Sequence, residues 1–67
     1  MIYDYEKYGI KVGQVYKQAD GSPSTVEVTD VDTYKDCGDV VVKGEYGKEY
    51  RIDCFKLTMV RYSLAES

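Results

Sequence analysis

The chain contains no histidine and no tryptophan, and phenylalanine and proline occur once each. Without histidine, the commonest general base near neutral pH is missing, and so are Ser-His-Asp and Cys-His nucleophilic catalysis. Only two cysteines are present, Cys37 and Cys54, whereas a structural zinc site needs about four cysteine or histidine ligands. The sequence therefore predicts a protein that is not an enzyme and that uses no metal or other cofactor.

Long hydrophobic runs are missing as well. No stretch approaches the roughly eighteen apolar residues of a membrane-spanning helix, so no membrane contact is predicted. The first residues are charged and tyrosine-rich and lack the apolar core of a signal peptide. We therefore expect a cytoplasmic location, where both cysteines stay reduced as free thiols.

The 67 residues carry nine Lys and Arg against twelve Asp and Glu, a formal net charge of −3. A chain of this length forms one domain, and it is too small to enclose a roomy substrate cavity and keep a core. The negative balance disfavours general binding to phosphate backbones, which requires a positive field. Function at the surface, through a macromolecular partner, is the prediction.

Strand-favouring residues predominate, and the glycines fall mostly between the valine and tyrosine runs, where turns are expected. The pattern predicts strands over residues 10–18, 25–33, 40–42, 48–53 and 57–62. A bulge is expected near Asp30, where the alternation slips, and Asp53 is expected to cap a tight helical turn. Tyr50 and Ile52 are expected to point into the core.

Five short strands with a helical turn before the last one predict an all-β (mainly β) domain over residues 1–67, folded as a small SH3-like barrel. Residues 1–11 are expected to form an N-terminal arm, which is either helix or strand, and residues 63–67 a frayed tail. A five-stranded barrel of the oligonucleotide-binding type is the alternative, but that barrel normally needs more residues and a helix between its third and fourth strands.

A frame of residues also resembles short uncharacterised phage and prophage proteins. The frame consists of Val15-Tyr16, Gly21, the stretch Val26 to Val31, Tyr46, Tyr50 and Cys54-Phe55. The resemblance implies that the chain folds as an SH3-like barrel and that it acts in a bacterial host cell. It implies no catalytic or binding residue, because such proteins have no settled activity.

Charge is unevenly distributed along the chain. Residues 27–39 contain five acids and one base, and tyrosine, which suits protein interfaces, occurs eight times in the whole chain. We therefore predict a protein-binding module, an accessory or inhibitory protein of a phage or mobile element that acts on a host macromolecular complex. The predicted protein interface comprises Glu27, Asp30, Asp32, Tyr34, Asp36, Asp39 and Tyr46.

An alternative hypothesis is weak binding of single-stranded nucleic acid, because bases and tyrosines alternate in the second half of the chain. The residues predicted for it are Lys43, Lys48, Arg51, Lys56 and Arg61. A metal-dependent enzyme using Asp30 and Asp32 ranks lower, since Lys35 stands where a calcium loop requires glycine. A homodimer that closes exposed strand edges is compatible with each hypothesis.

Overall fold

The computed structural model describes residues 2–66 and contains five antiparallel strands in one sheet, in the order β4-β3-β2-β1-β5. The strands are β1 (Val15–Gln18), β2 (Thr25–Asp30), β3 (Asp39–Gly44), β4 (Glu49–Asp53) and β5 (Tyr62–Glu66). A helix, α1 (Asp4–Lys7), precedes them, a 3-10 turn (Lys35–Cys37) joins β2 to β3, and a π-helical turn (Lys56–Val60) joins β4 to β5. The mainly β fold with a helical turn before the last strand is therefore confirmed.

The core lies on one face of β2 and β3, where buried residues alternate with more exposed ones. Val26, Val28, Val40 and Val42 are all buried, because every second residue of a strand points to the same face. These valines pack with Ile10, Tyr16, Cys54 and Leu57. The β2–β3 register shifts between Val28 and Asp30, which confirms the bulge predicted there.

The strand predicted over residues 10–18 begins only at Val15, so its first part is wrong. Gly9 and Gly13 have positive φ, 70° and 98°, and they turn the chain twice before β1 can start. Residues Asp4–Lys7 of the predicted arm form helix α1. Of the two alternatives for the arm, helix or strand, these residues therefore adopt the helix. Met1, the outer end of the predicted arm, lies outside the described residues.

The buried side chain of Gln14 holds the loop before β1 in place. Its Oε1 accepts a hydrogen bond from the Lys11 main-chain N–H at 2.8 Å, and its Nε2 donates to the Gly9 carbonyl at 3.1 Å. The Tyr16 hydroxyl also donates to Oε1, at 3.1 Å. Val12 is exposed in this loop.

The segment predicted as the last strand, 57–62, is mostly helical. Asp53 caps the helical segment as predicted, because its Oδ1 accepts hydrogen bonds from the N–H groups of Phe55 and Lys56 at 2.8 and 3.3 Å. Leu57 then turns into the core and is fully buried. The Arg61 N–H donates to the Lys56 carbonyl at 2.8 Å, which is the five-residue spacing of a π-helical turn. Residues 54–60 are termed the crossover helix.

The predicted frayed tail is also wrong, since residues 62–66 form β5. Tyr62 pairs with Gln18 and Leu64 with Tyr16 on β1. The free side of β1 offers main-chain hydrogen-bonding groups, and pairing with the chain's last segment satisfies them. Ser67 lies outside the described residues.

Candidate functional site

The sheet is rolled but does not close, because no ladder joins β4 to β5 within residues 2–66. In a flat sheet of five strands the two outer strands would lie about 19 Å apart. The hydroxyls of Tyr50 on β4 and Tyr62 on β5 are nevertheless only 2.9 Å apart. The two outer strands therefore approach each other across a gap, which is termed the open side.

A cavity of about 270 Å³ lies on the open side along β4 and is termed the β4 groove. It is lined by Tyr50, Arg51, Ile52, Asp53, Lys56, Arg61 and Tyr62. Tyr50 was predicted to be a core residue, but it is 38% exposed because β4 is an edge strand. Partial burial, together with its hydrogen bond to Tyr62, raises the pKa of Tyr50 to about 12, so the Tyr50 hydroxyl is neutral at physiological pH.

The charged groups of the β4 groove differ in how far they are already engaged. Arg51 Nε lies 3.2 Å from Asp39 Oδ2, and its guanidinium lies 4.5 Å from the centre of the Tyr34 ring. The Asp53 carboxylate caps the crossover helix. Within the described residues, neither Lys56 nor Arg61 forms an ion pair. Among the three cations of the β4 groove, Lys56 and Arg61 are therefore the two that are available to a partner.

The predicted acidic edge does not form a single surface, and two of its carboxylates are used to build the fold. Asp30 Oδ1 accepts a hydrogen bond from the Asp32 N–H at 2.8 Å, and Oδ2 accepts one from the Thr33 hydroxyl. These bonds, that of the Thr33 hydroxyl above all, hold the pKa of Asp30 below its usual value. Asp39 is mostly buried and paired with Arg51, a residue that was predicted for the competing basic surface.

The other predicted interface residues lie in separate parts of the molecule. Glu27 is on the solvent face of β2, opposite Lys43 on β3. Asp32 and Asp36 are exposed in the connection between β2 and β3. Tyr46 is 99% exposed in the hairpin after β3, at the opposite end of that strand from the connection. The exposed carboxylates of Asp32 and Asp36 are what remains of the acidic edge as a local surface.

The predicted basic residues are divided as well. Arg51, Lys56 and Arg61 line the β4 groove. Lys43 instead stands on the solvent face of β3 between two acids of the neighbouring strands, Glu27 and Glu49, and Lys48 is exposed in the hairpin. The structure thus brings together three of the five predicted basic residues. Lys43 is separated from these three because of the strand register, which cannot be read from the sequence.

A group of exposed apolar residues was missed from the sequence. Phe55, Met59, Val60 and Leu64 are 51%, 65%, 51% and 51% exposed, and they are termed the apolar patch. The first three share the outward side of the crossover helix, since Leu57 occupies its inward side. One feature of the sequence could have predicted this patch. Asp53 was expected to cap a helical turn, and a longer helix after that cap would have placed these residues on its solvent-exposed side.

The remaining chemistry of the described residues is limited. No group of three or more Cys, Asp or Glu side chains among residues 2–66 is arranged to hold a metal ion. Both cysteines are free, Cys37 exposed and Cys54 buried, and burial raises the pKa of the Cys54 thiol to about 11. None of the helices in that range has the length and apolar character that crossing a membrane requires.

Comparisons of the chain with protein-family models, curated proteins and solved structures found no significant match. Function is therefore inferred from the open side and its surroundings.

Proposed function

We propose that the protein is a non-catalytic protein-binding module that docks through the crossover helix and the two strands that this helix connects, β4 and β5. The observation that carries this proposal is the apolar patch, in which four large side chains within ten residues of sequence are each more than half exposed. Single exposed apolar residues are ordinary, but a group of them rimmed by charges is typical of interfaces. The exposed cations Lys56 and Arg61 lie between these residues in the sequence.

The partner in this proposal is a component of a host macromolecular complex, and the protein is an accessory or inhibitory protein of a phage or mobile element. Support for the origin comes from the residue frame around Tyr16, Tyr46 and Cys54. Support for the mode of action comes from size, because a domain of 67 residues with a docking surface inhibits by covering a surface of its target.

Capture of a partner from a bacterial lysate, read by mass spectrometry, tests the proposal when wild type is compared with two variants. The double variant Phe55→Ser/Met59→Ser removes two side chains of the apolar patch, and Val12→Ser is the control at an exposed apolar side chain of the loop before β1. Loss of one interface anchor costs about 2 kcal/mol of binding free energy, so the double variant should no longer capture the partner. Capture kept by the double variant and lost by Val12→Ser would contradict the proposal.

A second candidate function is binding of single-stranded nucleic acid in the β4 groove. It is favoured by one observation, that Tyr50 and Tyr62 meet three cations in a single cavity, as base stacking beside phosphate contacts requires. Three cations limit the single-strand salt slope to a magnitude of about 2. The Asp53 carboxylate in the same wall and the net charge of −3 oppose it.

A further inference from the structure

Hydrogen bonds at the two ends of the β3–β4 ladder fix which residues bond across it. The Cys54 N–H donates to the Gly38 carbonyl, and the Gly44 N–H donates to the Lys48 carbonyl, both at 3.0 Å. Hydrogen-bonded pairs alternate with non-bonded pairs in an antiparallel ladder. Since both anchoring pairs join even-numbered residues, the even-numbered residues of β4 bond to β3.

The odd-numbered residues of β4 therefore direct their main-chain groups away from β3. Glu49, Arg51 and Asp53 pair with β3 residues across non-bonded positions. The N–H and C=O groups of Glu49 and Arg51 and the N–H group of Asp53 therefore point to the open side, whereas the Asp53 carbonyl begins the crossover helix. Because β4 ends the sheet, no strand of the described chain receives them. The edge is a row of donors and acceptors spaced for an extended polypeptide.

The β4 groove lies beside this free edge and supplies the rest of a peptide site. It is lined by Tyr50 and Ile52 from β4 and by Lys56 and Arg61 from the segment that joins β4 to β5. A strand added to β4 would therefore send alternate side chains into a cavity lined by two large side chains and two cations. Carboxylate side chains at those alternate positions complement the two unpaired cations.

We infer that the edge of β4 binds an extended acidic segment of a partner protein, which joins the sheet as an additional strand. The inference rests on the proposed protein-binding function and specifies its partner. Main-chain hydrogen bonds to Glu49, to Arg51 and to the N–H group of Asp53 supply affinity, and carboxylates facing Lys56 and Arg61 supply specificity.

Polypeptide fits this site better than nucleic acid does. The edge alternates N–H donors with C=O acceptors, which matches another main chain, whereas a phosphate backbone carries acceptors only. The Asp53 carboxylate also lines the groove. A phosphate chain is repelled by this carboxylate, whereas a peptide is repelled only where an acid of its own faces it.

A set of labelled probes tests the occupant by fluorescence anisotropy on the whole chain. The probes are a capped peptide that alternates glutamate with valine, the same peptide with lysine for glutamate, two glutamate versions N-methylated on alternate amides, and oligothymidine. We expect the glutamate peptide to bind and the lysine peptide to bind at least about tenfold more weakly. One of the two N-methylated versions should also lose at least about tenfold, because its methyl groups face β4.

Variants of the protein test the edge and the cations separately. Arg51→Pro removes an outward N–H that no strand uses, so an edge strand tolerates it, and Arg51→Ala is the matched control that loses the same side chain but keeps the N–H. Peptide binding should be lost only in Arg51→Pro. Lys56→Gln/Arg61→Gln should weaken binding about tenfold, whereas Lys43→Gln/Lys48→Gln, with the same change of charge outside the groove, should not.

Several outcomes would overturn the inference. They are equal binding of the glutamate and lysine peptides, full binding of both N-methylated peptides, binding of oligothymidine alone, and a dimer through β4 in sedimentation that excludes the peptide. If Arg51→Pro unfolds, the N-methylated peptides still decide the question. If the peptide experiments fail but the Phe55→Ser/Met59→Ser variant still loses capture of the partner, the proposed protein-binding function stands and only the β4 edge site is wrong. The two failures are therefore distinguishable.

Discussion

The β2–β3 wall and the open side use apolar residues in opposite ways. Val28 and Val42 on the central strands are fully buried, while Met59 on the crossover helix is 65% exposed only two residues after the fully buried Leu57. Central strands have a neighbour on each side, whereas β4 and the crossover helix face solvent. Hydrophobicity alone therefore does not decide burial in a domain this small, and apolar residues left at the edge are available for a partner.

The largest difference in stability is expected between substitutions at Leu57 and at Met59. Leu57→Ala should cost about 3 kcal/mol of unfolding free energy, since it leaves a cavity in the core. In so small a domain this lowers Tm by roughly 12–24 °C. Met59→Ala should change stability by less than about 0.5 kcal/mol. Thermal denaturation followed by circular dichroism measures both, and equal losses would show that Met59 belongs to the core.

The next effect concerns two glycines at opposite ends of β3. Gly38 and Gly47 have φ of 78° and 82°, so alanine at either position should cost about 1–2 kcal/mol from the left-handed conformation alone. A Cβ at Gly38 would also lie 2.5 Å from Asp4 Oδ2, whereas at Gly47 its nearest neighbour is Lys43 Cε at 3.8 Å.

Gly38→Ala should therefore destabilise more than Gly47→Ala in urea denaturation. Adding Asp4→Ala to Gly38→Ala should abolish the difference between the two glycine variants, because it removes the clashing carboxylate. Equal costs for the two single variants would show that α1 yields easily and is not packed tightly against the 3-10 turn.

The same contrast explains how far the sequence predicts the fold. Val26 and Val28, Val40 and Val42, and the slip at Asp30 are local patterns, and each has the structure expected of it. Residues 57–62 were misassigned because Thr58, Val60 and Tyr62 are strand-favouring residue types. The helix arises from the cap at residue 53 and from the space in the core that Leu57 fills, and that space exists only once the sheet has formed.

The candidate site was predictable only in part, for a related reason. Arg51, Lys56 and Arg61, which were predicted to share a basic surface with Lys43 and Lys48, line one groove. Nothing local in the sequence shows that Arg51 pairs with Asp39, or that β4 ends the sheet and leaves its edge free. Such facts depend on strand order and register, so composition identified the kinds of residue and tertiary structure decided which of them meet.

A smaller effect should appear at high pH on the open side. The pKa of Tyr50 is raised from its ordinary 10.0 to about 12 in the folded chain. A raised pKa means that folding favours the neutral phenol, so its stabilising contribution is complete below pH 10 and is lost between pH 10 and 12. Tyr50→Phe should lose less stability across that interval than wild type in urea denaturation, and Tyr46→Phe, at an exposed ring, should match wild type.

The smallest effect is expected from the acidic connection, and it sharpens the comparison of the two surfaces. Asp32 and Asp36 are exposed and do not line the β4 groove, so Asp32→Asn/Asp36→Asn should change stability by less than about 0.5 kcal/mol. If the partner segment is acidic, removing two like charges should speed its association by no more than about twofold, because salt screens charges beyond roughly 10 Å. Surface-based kinetics with the captured partner measures this. Slower association in this variant, with Lys56→Gln/Arg61→Gln unchanged, would assign docking to the acidic connection and would place a cationic surface on the partner.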